Sequence, residues 1–465
     1  MSITSPPLVP RPRPRPSRRT IAAGGLGLSF ALALSGCAGF GNLGTQPGVT
    51  TVTLASVNNP QMQDMAQLLP EFEKQHPDIK INIIFMEEND LRNAATKDVA
   101  TKGGQYDIMT VGAYEVPIWG QNRWLMDLTD KAAEDPAYDV DDFFKPVRDG
   151  VSYDKRLYAV PFYGESSFLM YRKDLFQQAG ITMPERPTWD QIAEYAAKLK
   201  DPSQDRAGIC LRAKPGWGEM FAPLTTVINT FGGQWYNMDW QAQVNSPAYT
   251  DAVKFYIDTL EASGEGDPVS FGFTECLNLF SQGHAAMWYD ATSAAGSVED
   301  PKNSKVAGQV GYVRAPVKMT ENSGWLWSWN LGINAESKHQ DAAWTFVKWA
   351  TSKDYAKLVG SQLGWARTPP GTRKSTYLIP QYIKAGGDFA PLTAKIMNEV
   401  NPTQPGVDPQ PWVGIQYVTI PEFQDVGNQT SQLLADVIAG RRPLNLALDQ
   451  GQKIAQRAGD NQKKG

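Results

Sequence analysis

Along residues 50–112 the apolar positions switch between two periods. Val52, Leu54 and Ser56 lie two apart and predict a strand ending at Val57. Asn59-Pro60 then supplies a helix cap followed by proline at the first helical position. Met62, Met65, Ala66, Leu69 and Phe72 continue at helical spacing, and Ile79, Ile81, Ile83 and Phe85 alternate as a second strand. A helix is predicted over about 90–102, closed by Gly103-Gly104, and a third strand over 106–111. This β-α-β-α-β order predicts a doubly wound parallel sheet, whose ligands bind beyond the C-terminal ends of the strands. The loops at that edge are Val57-Asn58-Asn59, Met86-Glu87-Glu88-Asn89 and Gly112-Ala113-Tyr114-Glu115, all carrying amides, carboxylates or an aromatic ring.

A second lobe is expected from about residue 159, with a strand over 167–171. Thr188-Trp189-Asp190-Gln191 fits a capping box and opens a helix through Ile192, Tyr195, Ala196 and Leu199. Another helix is predicted over 248–260. Trp325, Trp327 and Trp329 alternate in a strand predicted over 325–334, which gives all three a common face. Pro- and Gly-rich turns at 368–371 and 401–411 separate the later helices.

The N-terminus follows a different pattern. Arg11, Arg13, Arg15, Arg18 and Arg19 precede an apolar run from Ile21 to Leu34 without any acidic residue. That run is shorter than the roughly 20 residues a membrane-spanning helix needs and fits a signal peptide. Leu34-Ser35-Gly36-Cys37 matches a lipobox, which makes Cys37 the expected lipidation site; an ordinary signal peptide with a chance cysteine is the alternative. Arg18-Arg19 is a twin-arginine pair, so the export route stays open. The expected boundaries are 1–36 for the signal, 37–50 for a tether, 51–158 plus about 318–352 for the first lobe, and 159–317 plus about 353–465 for the second.

Five of the 44 basic residues precede Cys37, so 39 remain against 49 acids, a net charge of about −10. With no basic run, that balance argues against nucleic-acid binding. His76, His284 and His339 lie too far apart in the chain for a metal motif, and no phosphate-binding loop or nucleophile elbow is present. No cofactor is expected. Cys210 and Cys276 remain after Cys37, and their pairing is left open.

Motif order adds a resemblance. Gly103-Gly104-Gln105-Tyr106-Asp107-Ile108-Met109, Leu157-Tyr158-Ala159-Val160-Pro161, Leu169-Met170-Tyr171-Arg172-Lys173-Asp174-Leu175-Phe176, Gly283-His284-Ala285-Ala286-Met287-Trp288 and Ala439-Gly440-Arg441-Arg442-Pro443-Leu444 follow one another. Together they resemble extracellular solute-binding proteins of the maltose-binding type. Ser56-Val57-Asn58-Asn59-Pro60 and Gly112-Ala113-Tyr114-Glu115-Val116-Pro117-Ile118-Trp119-Gly120 are most similar to the sorbitol/mannitol-binding branch. The resemblance implies two doubly wound α/β lobes joined by a hinge, with crossings near 158–161 and 312–334. It also implies a monomeric, non-enzymatic lipoprotein that captures a sugar alcohol such as sorbitol, mannitol, arabitol or xylitol, or a sugar. Its implied partners are an ABC permease and a separate ATPase.

A polyol presents many hydroxyls and weakly polar C–H faces, so its site needs carboxylates, amides and aromatic rings. From the first lobe the candidates are Asn59, Glu88, Tyr114 and Glu115; Asn59 is equally well read as a helix cap, and the two glutamates as solvated loop carboxylates. After the hinge the resemblance implies ligand contacts from Tyr163 and Glu165 in Tyr163-Gly164-Glu165-Ser166, and Trp217 lies between two glycines on a loop. Trp288 and Asp290 follow, with core packing as the other reading of Trp288. Trp325 and Trp327 are the expected ligand platforms and Trp329 a core residue. Arg367 is read either as a hydroxyl donor or as a structural ion pair. The rival classes are a secreted glycoside-acting enzyme using Glu88, Glu115 and Glu165 as acid and base, and a receptor for another sugar or a peptide.

Overall fold

The computed structural model describes residues 48–463; the signal segment, Arg18-Arg19 and Cys37 lie outside them. The chain opens with β1 (Thr50–Val57), α1 (Pro60–Gln67), α2 (Leu69–Gln75), β2 (Ile79–Met86), α3 (Glu88–Ala100), β3 (Ile108–Gly112) and α4 (Glu115–Gln121). β1 pairs in parallel with β2 over its full length and with β3 through Leu54 and Ala55, which face Ile108 and Met109. Val52, Leu54 and Ala55 are fully buried, as a central parallel strand covered on both faces requires. β2 is the edge strand, and there Ile84 and Phe85 emerge into solvent.

Two short strands, β4 (Ser152–Tyr153) and β5 (Arg156–Leu157), form a hairpin, and β6 (Ala159–Glu165) follows. Next come β7 (Ser167–Arg172), β8 (Met287–Ala291), β9 (Val310–Arg314) and β10 (Trp327–Ile333). β10 returns antiparallel between β3 and β6, giving the first sheet the order β2-β1-β3-β10-β6. The second sheet has the order β8-β7-β9, and both its pairings are antiparallel. The doubly wound parallel pattern is therefore confined to β1–β3.

Two expected boundaries move. β6 pairs with β10, so the chain leaves the first sheet after Glu165, not at 158. The helix Lys353–Gln362, expected in the second lobe, packs through Tyr355 on Phe162 of β6 and on Trp349. Both shifts arise because the strand partner of β6 and the packing of this helix are chosen by tertiary contacts, which no local pattern encodes. Cys210 and Cys276 are disulfide-bonded, with 5.8 Å between their Cα atoms. Among the described residues no helix is long and apolar enough to cross a membrane.

Candidate functional site

The first-sheet strand ends and the second lobe enclose a small cavity. Asn59, Glu88, Tyr163, Glu165, Trp217, Trp325 and Trp327 all line it, together with Arg92, Arg212, Phe273, Trp329 and Gln416.

Asn59 sits at the N-cap of α1, but its side chain makes no capping bond; its Nδ2 donates to the Tyr163 hydroxyl at 2.7 Å. Of its two readings, the cap fails. Glu88 begins α3, and Arg92, one turn later, donates to its Oε1 from Nη2 at 2.9 Å and Nε at 3.2 Å. Arg92 also pairs with Glu115, whose second oxygen accepts from the Gly112 amide at 3.1 Å. The guanidinium lies 4.2 Å from the Trp217 ring centre, 4.9 Å from Trp329 and 5.2 Å from Trp327. One buried cation thus holds two first-lobe carboxylates and three tryptophans in a fixed arrangement. Glycine is required where these groups converge: a Cβ on Gly218 would overlap the Glu88 carboxylate, and one on Gly112 would overlap the Trp327 ring.

Glu165 ends β6 and is 7 % exposed. Burial pushes its carboxyl up to about 7, against the lowering effect of the Ser293 hydroxyl that donates to it. Arg212 forms a two-pronged pair with Asp290, at 2.8 Å from Nε, and donates to the Gly218 carbonyl at 3.1 Å. Asp290 also accepts from the Trp288 indole at 3.1 Å and the Ala291 amide at 2.6 Å. Beside Arg212, burial raises Glu219 to about 7. The Trp217 loop is fixed by the helix Phe423–Ile438: Gly216 donates to Ser431 Oγ at 2.8 Å, and the Trp217 amide donates to Asn428 Oδ1 at 3.1 Å. The indole N–H groups of Trp217 and Trp325 and the Gln416 side-chain oxygen are buried without a hydrogen-bond partner in the protein.

Five expected contacts stand off the cavity wall. Tyr114 lies behind Trp217, with ring centres 4.9 Å apart. Glu115 is taken up by Arg92 and Gly112. Trp288 packs between Phe273 and Phe280, and Asp290 is the fully buried anchor of Arg212. Arg367 is the structural ion pair: it binds Asp64 on α1 and reaches Asp300 at 3.3 Å. Trp329, expected in the core, is buried there and also lines the cavity, because its alternation with Trp327 on β10 and with Trp325 just before it turns all three to one side. Arg92 and Arg212 were missed. Arg92 had a legible signal only in its place in the first turn of the predicted helix, beside the Glu88 loop, because that helix was expected to start after Glu88; Arg212 had only the oddity of a cation within an apolar stretch. Among the described residues no cluster of His, Cys, Asp and Glu is arranged to hold a metal ion.

The sequence pattern of the bacterial extracellular solute-binding proteins matches residues 58–357. The chain belongs to that family. This solute-binding protein is 44% identical over 411 residues to a mannitol-binding protein of Pseudomonas aeruginosa, covering 88% of this chain and 93% of the relative. The crystal structure of an ABC transporter solute-binding protein from Agrobacterium vitis with bound D-mannitol is 48% identical, with a TM-score of 0.86, covering 89% of this chain and 99% of that one. A homologue from Agrobacterium radiobacter in complex with ribitol is 28% identical, with a TM-score of 0.78, covering 88% and 98%. The solute-binding protein therefore has the two-lobed fold of this family, whose members bind solutes outside the cytoplasm for ABC transporters and are not enzymes. The glycosidase reading ends there, and Glu88 and Glu115 are in any case both engaged by Arg92.

Proposed function

We propose that this solute-binding protein captures a linear sugar alcohol, mannitol foremost, in the inter-lobe cavity and delivers it unreacted to a membrane permease driven by a separate ATPase. The observation that carries this reading is the cavity wall: Trp217, Trp325 and Glu165 line one space, and the indole N–H groups of both tryptophans are buried with no partner in the protein. Hydroxyls donate and accept, and the C–H face of a polyol lies well on an aromatic ring. The mannitol named for the relatives at 44% and 48% identity supports the same ligand.

In this reading Asn59, Glu88, Tyr163 and Glu165 bind hydroxyls, and Trp217, Trp325 and Trp327 form the platforms. Two lobes then close as bodies about the crossings 165–167 and 314–327, since only the closed state offers ligand both walls. Lipidated Cys37 would tether a monomer to the outer face of the cell membrane.

A thermal-shift panel of mannitol, sorbitol, arabitol, xylitol and ribitol tests this. Mannitol at 100 times its Kd should stabilise the protein by about 2.7 kcal/mol, and Glu165→Ala should abolish most of the shift. No shift with any polyol in the wild-type protein would refute the ligand class.

A further inference from the structure

Tyr114 is 3 % exposed yet does not line the cavity. It belongs to the first lobe, in the turn between β3 and α4. All the hydrogen-bonding partners of its hydroxyl belong to the other side. The hydroxyl donates toward the Ile420 carbonyl at 3.0 Å, with the Pro421 carbonyl at 3.2 Å, and accepts from the Gln424 amide at 3.2 Å. Residues 420–424 lead into the helix Phe423–Ile438, which is fastened to the second lobe through the Gly216 and Trp217 amides and through Phe423 against Trp235. The Tyr114 ring meets Trp217, Tyr417 and Phe423 edge-on.

Other contacts across the cleft include single bonds from side chain to backbone, such as Gln61 to the Ser293 carbonyl at 2.9 Å and Asn89 to the Pro215 carbonyl at 3.1 Å, the Arg92 guanidinium against the Trp217 ring, and the Arg367 pairs with Asp64 and Asp300. Lys214 to Glu87 and Gln424 to Asn93 are exposed. Among the described residues, Tyr114 alone combines a buried ring with a hydroxyl engaged by three backbone groups across the cleft. Opening the lobes must withdraw it, and it packs against the back of a tryptophan whose front faces the cavity.

We infer that Tyr114 is a latch: a positioning residue that holds the closed state and slows ligand release without touching ligand. The inference rests on the proposed capture by lobe closure. Opening exchanges a set of buried hydrogen bonds and ring contacts for water, so the latch adds to the barrier for release whichever polyol is inside. It acts on residence time, while the cavity wall sets which molecule is chosen.

Tyr114→Phe keeps the ring and removes only the hydroxyl. Mannitol dissociation, followed by tryptophan fluorescence in a stopped-flow instrument, should quicken roughly 2- to 12-fold, the ratio expected for losing one net buried hydrogen bond. The ratio of mannitol to ribitol affinity should stay at its wild-type value. An unchanged dissociation rate overturns the latch. So does an altered affinity ratio, which would make Tyr114 a ligand contact. If wild-type protein binds no polyol, the ligand reading fails separately. The latch is then read from small-angle scattering of the ligand-free protein, where Tyr114→Phe should have the larger radius of gyration and equal radii would overturn it.

Discussion

Glu165 is the cavity carboxyl with no arginine bonded to it, and its buried position raises it to about 7 from an ordinary value of 4.5. A raised carboxyl binds more protons in the folded than in the unfolded state, so its contribution to stability is complete below about 4.5 and is lost as pH rises through about 7. Glu165→Gln should therefore flatten the fall of the ligand-free melting temperature between pH 5 and 8, removing on the order of 2–3 kcal/mol of pH-dependent stability. Polyol hydroxyls that donate to the ionised carboxylate shift the balance the other way. Binding then releases a proton, and mannitol affinity should rise with pH up to about 7 and level off above it; calorimetry in two buffers of different ionisation enthalpy checks the proton count. Arg92 makes the other residue-scale prediction. Its loss in Arg92→Met leaves Glu88 and Glu115 buried without their cation, and such broken buried pairs cost roughly 3–5 kcal/mol, readable as a lowered urea midpoint. Lysine would not rescue it, because one ammonium cannot bond both carboxylates and stack against the tryptophan rings.

Among the elements, the strand exits were legible and their neighbours were not. β1, α1, β2, α3 and β3 fall close to the positions their hydrophobic periods predict, and the Thr188 capping box is present as both of its bonds. The three tryptophans of residues 325–329 share a face as their alternation requires, although Trp325 precedes the strand itself. The membership of β6 in the first sheet was hidden, since pairing with β10 joins segments more than 160 residues apart. The disulfide was equally hidden: its Cys210 end follows Ile209 and precedes Arg212 by two residues, so the bond stiffens the segment that delivers Arg212 to the cavity. Replacing both cysteines by alanine should cost about 2–4 kcal/mol, the usual range for a bond closing a loop this long, and calorimetric unfolding with and without reductant measures it.

For the whole molecule, charge and closure set what can be held. Five acids, Glu88, Glu115, Glu165, Glu219 and Asp290, surround the cavity with two arginines, Arg92 and Arg212, in an acidic protein. A buried anion there meets repulsion in a medium that screens poorly. Sugar acids of the same length, such as mannonate, should bind at least about tenfold more weakly than the neutral polyol at pH 8, when Glu165 is ionised; competition against mannitol tests this. Closure on ligand should also contract the radius of gyration seen by small-angle scattering.

Local order was fixed by sequence alone, because strand alternation, helix period, capping residues and glycine are rules about neighbours in the chain. Those rules placed Asn59 and Glu88 at strand exits and Trp217 on a loop between two glycines, while Glu165 was marked by the family resemblance. Only the tertiary structure decided that Asn59 holds Tyr163 instead of capping its helix, that Arg92 and Arg212 support the wall, and that Tyr114, Glu115, Trp288, Asp290 and Arg367 stand behind or beside it. All but the packing of Trp288 depend on a partner 23 to 306 residues away. Burial and pairing there are settled by how two lobes meet, and chain periodicity carries no record of that meeting.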